Sequence, residues 1–110
     1  MSFISINPKD NFLVDEIGID IDTKNELINL FVQINGKNLG KLHFYETKKG
    51  YHYRIKLKQK VSLQDAFKLR QYLFDDEYRM RIDAMRVNMG FRIFDVLFTQ
   101  KREVKGLKRV

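Results

Sequence analysis

Cysteine is absent from the chain, and that excludes disulfides, zinc fingers and thiol catalysis. Tryptophan is absent too, and proline occurs once, at Pro8. No run approaches the ~18–20 apolar residues of a membrane span. The opening "MSFISINPKD" lacks the charged start and long apolar core of a secretory leader, so the expectation is an intracellular, cytoplasmic protein without a membrane partner. Repeats, low-complexity tracts and linkers are missing as well. What remains is 110 residues, 44% of them hydrophobic, with 9 Phe and 5 Tyr, enough for one packed domain. The expected core runs over about 14–100, followed by a basic tail at 101–110.

The charge is one-sided. The net value is +7, and histidine occurs only twice. Residues 41–60 hold seven Lys/Arg against one Glu, and the tail "KREVKGLKRV" holds five against one. Such clusters suit a polyanion, chiefly nucleic acid, although a solvated surface can look the same.

Hydrophobic periodicity gives the elements. "EIGIDID", 16–22, alternates strictly, with Ile17, Ile19 and Ile21 on one face and Asp20 and Asp22 on the other. "TKNELINLFVQINGKN", 23–38, has two readings. Leu27, Leu30, Phe31 and Ile34 form a helical face with Thr23 as N-cap and Glu26 completing a capping box. Ile28, Leu30, Val32 and Ile34 form a strand ending at the hairpin dipeptide Asn35-Gly36. "KLHFYET", 41–47, and "YHYRIKL", 51–57, read as a hairpin. Residues 62–74 read as a helix capped by Ser62, and 75–87 as a second helix with acids at its start. "FRIFDVLF", 91–98, reads as a last, covered strand.

With a helix over 23–38, the order is that of a ferredoxin-like or RRM-like split βαβ unit (βαββαβ), an α+β fold with one open sheet face. The alternative is an antiparallel meander packed by one or two helices. In the split fold the first and third strands are central, and the fourth flanks the first. Strand parity then sends Asp20, Asp22, His52, Arg54, Lys56, His43 and Tyr45 to the open face. Asp95 joins them, or Arg92 in the other register. Two carboxylates on alternate positions of a strand, ~7 Å apart along the backbone, suit Mg²⁺ or Mn²⁺.

"IGIDID" followed by "TKKGYH" resembles the motifs of the archaeo-eukaryotic primase superfamily. That family carries hydrophobic-Asp-hydrophobic-Asp on one strand, Ser-x-x-Gly-x-His entering another, and a further hydrophobic-Asp, all on an RRM-like palm. Asp20 and Asp22 match the first motif. Thr47 through His52 match the second, with Thr for Ser. Asp95, or alternatively Asp83, matches the third. The resemblance implies metal-binding acids at Asp20 and Asp22, a phosphate contact at His52 and a minimal viral, plasmid or archaeal derivative. It covers only the palm-like unit, and the motif spacing is short.

Three functions remain open on this reading. One is phosphate-directed nucleic-acid binding by Lys48, Lys49, Arg54, Lys56, Tyr45, His43, Lys101 and Arg102. Another is metal-dependent nucleotidyl or phosphoryl transfer by Asp20, Asp22, His52 and a third acid. The last is a non-catalytic protein-interaction factor. A homodimer or a larger protein complex is compatible with all three.

Overall fold

The computed structural model describes residues 5–9 and 12–91. It is an α+β fold: β1 (Val14–Ile21), α1 (Glu26–Leu39), β2 (Gly40–Glu46), β3 (Tyr51–Val61), α2 (Leu63–Tyr72) and α3 (Glu77–Asn88). The strands form one antiparallel sheet in the order β1-β3-β2. Strand-helix-strand-strand-helix is the expected sequence of elements, and β3 is central as expected. The expected last strand lies, beyond Phe91, outside the described residues. Among the described residues no helix is long and apolar enough to cross a membrane.

The alternation of β1 works as read. Ile17, Ile19 and Ile21 are buried against Ile55, Tyr53 and Tyr51, their register partners on β3. Each such side chain contributes about 1.5–3 kcal/mol when fully buried. α1 and α2 lie side by side over this face, joined where the Phe31 and Tyr72 rings meet at 5.4 Å. Ile6 reaches the same core, and the Asn7 N–H donates to Asn88 at the end of α3.

The ambiguous stretch 23–38 contains helix α1, Glu26–Leu39, with two corrections. The N-cap is Asn25, whose Oδ1 accepts from the N–H groups of Leu27 and Ile28 at 3.0 and 3.1 Å. Two of the helix's orphan donors are thereby satisfied, and Thr23 is left outside the helix. The face turned to the sheet is also different. Val32 and Gly36 are buried and Ile28 and Leu39 partly so, whereas Leu27, Leu30 and Ile34 are exposed. Gly36 is the reason. A Cβ there would stand 3.1 Å from Ile55 Cδ1 and 3.2 Å from Leu42 Cδ1, so the missing side chain is what lets the helix cross the sheet closely.

The hairpin turn 47–50 is built for packing. Thr47 Oγ1 accepts from the Gly50 N–H at 2.9 Å, and the Thr47 N–H donates to Gly50 O at 2.9 Å. A Cβ on Gly50 would lie 1.9 Å from Ile21 O. The glycine that sequence reading assigned to a phosphate approach thus lies against the end of β1. Tyr51 enters the core and donates its hydroxyl to Glu26 Oε2 at 2.7 Å, and Tyr53 donates to Asn29 Oδ1 at 2.5 Å.

That hydrogen bond, with burial, pushes the Tyr51 hydroxyl up to about 12 from 10.0. Burial first, then the neighbouring Tyr51, raises Tyr53 as well. A folded value above the unfolded one means that the contribution is intact below pH 10 and lost as pH rises towards 12. Thermal melts between pH 8 and 12 should therefore fall through that window, and Tyr51→Phe should flatten the fall. A melting temperature flat to pH 12 would contradict the assignment.

The α2–α3 junction carries a buried ion network. Arg70 donates through Nε to Asp75 Oδ2 and through Nη2 to Asp83 Oδ2, both at 2.8 Å. Arg79 Nη1 donates to Asp75 Oδ2 at 2.7 Å and to Gly18 O at 3.1 Å. Asp75 Oδ1 accepts from the Asp20 N–H at 2.8 Å, and the Asp76 N–H donates to Asp20 O at 3.1 Å. The junction thereby bonds the edge of β1 that faces away from β3. Burial pushes the Arg79 guanidinium below its ordinary value, and Asp75 beside it opposes the shift. As expected, Ser62 caps α2, and an acid, Asp76, caps α3.

Candidate nucleic-acid interface

The register fixes which side chains share the sheet face opposite the core. Across β1 and β3, Asp20 opposes His52, Gly18 opposes Arg54 and Glu16 opposes Lys56. Across β2 and β3, Tyr45 opposes His52, His43 opposes Arg54 and Lys41 opposes Lys56. His52 and Arg54 are partly buried, while Lys41, His43, Tyr45 and Lys56 are exposed.

The two halves of this face differ electrostatically. On the β1 side the side chains at 52 and 54 each meet an acid: His52 Nε2 lies 3.0 Å from Asp20 Oδ1, and Arg54 Nε lies 2.9 Å from Glu16 Oε2. On the β2 side no acid enters the face: Lys41 lies across from Lys56, and His43 across from Arg54. None of Lys41, Lys56, Lys58 or Lys60 makes an ion pair among the described residues. Like charges directly opposite on antiparallel strands are destabilising. Lys48 and Lys49 stand exposed at the hairpin turn beyond His52, and Lys58 and Lys60 continue the exposed cations at the far end of β3.

β3 is longer than its periodicity suggested, because a bulge intervenes. Between the pairs Val14–Val61 and Glu16–Lys56, β1 has only Asp15 while β3 has residues 57–60. That extra length carries Lys58 and Lys60 past the end of β2, which stops at Gly40 opposite Leu57.

The expected acidic constellation assembles only in part. Asp20 and His52 are brought together. Asp22 lies one residue past the end of β1 and is exposed. Asp83 is fully buried and holds Arg70 and Arg86, so it does not reach this face. Asp95, Lys101 and Arg102 lie outside the described residues. Among those described, no three His, Asp or Glu side chains gather as a metal-ion shell would require. Asp20 and His52 offer one oxygen and one nitrogen donor already set against each other, a poor match to the all-oxygen shell of Mg²⁺.

Sequence reading missed Glu16, whose parity on "EIGIDID" matches that of Asp20, and missed Lys41, Lys58 and Lys60 as members of the same exposed array. Compared with protein-family models, with curated proteins and with solved structures, the chain finds no match in any of the three.

Proposed function

We propose that this protein binds nucleic acid through its phosphates, on the β2–β3 half of the open sheet face. The observation that carries the reading is the direct opposition of Lys41 and Lys56, beside His43 and Arg54, with no acid on that half of the face. The opposed lysines cost the isolated fold stability, and a polyanion laid along them reverses the sign of that term. Lys48 and Lys49 at one end and Lys58 and Lys60 at the other extend the track beyond the paired strands. Tyr45 and His43 offer exposed rings on which bases can stack. The protein acts in the cytoplasm on this reading, as a binding derivative of a primase-like palm. The split order of elements and the juxtaposition of Asp20 with His52 support that descent. Binding is favoured over phosphoryl transfer because Asp20 is engaged by His52 and Asp83 by Arg70.

Fluorescence anisotropy with labelled single-stranded and duplex oligonucleotides tests the reading. Engaging Lys41, Lys48, Lys49, Lys56 and Lys58 should give a slope of log K against log salt of about −3 to −5. Affinity indifferent to salt, or no binding at low salt, sinks the proposal.

A further inference from the structure

The apolar face that periodicity picked out on α1 is real, and it points away from the sheet. Leu27, Leu30 and Ile34 are 78, 56 and 54% exposed. Beside them the Phe31 ring meets those of Tyr72 and Phe74 at 5.4 Å each, and Tyr72 and Phe74 are themselves about half exposed. Six large apolar side chains therefore form one continuous patch, and such patches mark interaction surfaces more than scattered exposed residues do.

Phe74 adds an independent observation. α2 ends in a Schellman motif, with the Asp75 N–H donating to Arg70 O at 2.9 Å and the Phe74 N–H to Gln71 O at 3.1 Å. The residue between them must be left-handed, and Phe74 has φ 66°. Glycine is the residue that fits there without strain. The monomer thus carries a strained backbone in order to present a half-exposed ring. Within the chain the ring rests against Phe31 on one side only and leaves about half of its surface open.

Charge selects the occupant. Glu26 lies in the first turn of α1 and Lys37 in the last. They are eleven residues apart, three helical turns to within about 20°, so both flank the apolar stripe on one side. A two-fold axis crossing the helix midway between them sets Glu26 of each copy against Lys37 of the other. Phe31 lies beside that midpoint, so the same axis brings the two Phe31–Tyr72–Phe74 clusters together. Antiparallel α1 helices also oppose their macrodipoles favourably. We propose that the outer face of α1, with Tyr72 and Phe74, is the contact surface of an isologous homodimer in which α1 packs antiparallel to α1 of a second copy.

Sedimentation equilibrium of the full chain is the test, with circular dichroism confirming the fold of every variant. Glu26→Lys and Lys37→Glu should each raise the dimer dissociation constant about tenfold, since two attractions become two repulsions. The double exchange should restore it to within about threefold, and mixing the two single variants should give the heterodimer preferentially. Lys37 makes no ion pair among the described residues, so its variant keeps the test clean if Glu26→Lys, which also disturbs Tyr51, folds poorly. Phe74→Gly should raise the melting temperature of the dilute monomer yet weaken association at least about tenfold. A wild-type chain that stays monomeric to about 100 µM overturns the proposal, because the face would then have another cover or partner. So does a double exchange that remains as weak as the single changes.

Discussion

Asp75→Ala should lower stability by about 3–5 kcal/mol, enough to unfold a domain whose total is on the order of 5–15 kcal/mol. The side chains of Arg70, Asp75 and Asp83 are fully buried, and that of Arg79 nearly so. Asp75 is the carboxylate shared by both arginines, and it also accepts from the backbone of Asp20 and Asp76. Removing it leaves two guanidinium groups facing one remaining buried acid. It also releases one of the three described bonds that hold the α2–α3 junction to β1. Removing both members of a pair should be gentler. Arg70→Met with Asp83→Leu should cost less than Asp83→Leu alone, because no buried charge is left without its partner. Urea unfolding of the three variants decides it. A loss under about 1 kcal/mol for Asp75→Ala would mean that water reaches the network readily.

The second large effect concerns binding. Reversing Lys41, Lys56 and Lys58 together to Glu should reduce nucleic-acid affinity by about a hundredfold or more at moderate salt and shrink the salt slope by about three. The fold should persist with a loss of under about 1 kcal/mol, since all three are exposed; like charges stay opposed between 41 and 56, and the new carboxylate at 56 faces Glu16. Reversing Glu16 to Lys instead should raise affinity modestly while weakening the fold through Arg54, its partner at 2.9 Å. If the triple variant binds as the wild type does, the phosphate track lies elsewhere on the molecule.

The contrast between legible and illegible parts has physical causes. Parity on β1 and β3 was readable because a period of two leaves no freedom once one face is buried. It placed Asp20 beside His52 correctly. α1 was harder, since both of its sides carry apolar residues. Counting hydrophobes favoured Leu27, Leu30 and Ile34, while the sheet took the side where Gly36 removes the obstacle. A missing side chain contributes nothing to a hydrophobic count. The buried ion network was hidden because Arg and Asp are read as surface residues by default. Its signal was nevertheless present: Arg79 and Asp83 share the inner face of α3 with Met80, Ala84 and Val87. Charges at the core positions of a helical pattern point to a paired interior. The motif "TKKGYH" was legible as a turn but not in its purpose. Thr47 and Gly50 serve the packing of β1, and Tyr51 serves α1.

The junction that bonds the outer edge of β1 also limits how copies of this chain can aggregate. Growth of a cross-strand polymer requires two free edges per subunit, one to receive and one to offer. The Gly18 carbonyl and both backbone groups of Asp20 are already committed to Arg79, Asp75 and Asp76. That leaves β2 as the receptive edge of the described sheet. Pairing there consumes it, so two copies joined through β2 present each other with a finished end. Nucleated fibril growth through this sheet would first have to break Asp75, Asp76 and Arg79 away from β1, which ties resistance to fibrillation to the same junction that holds the fold together.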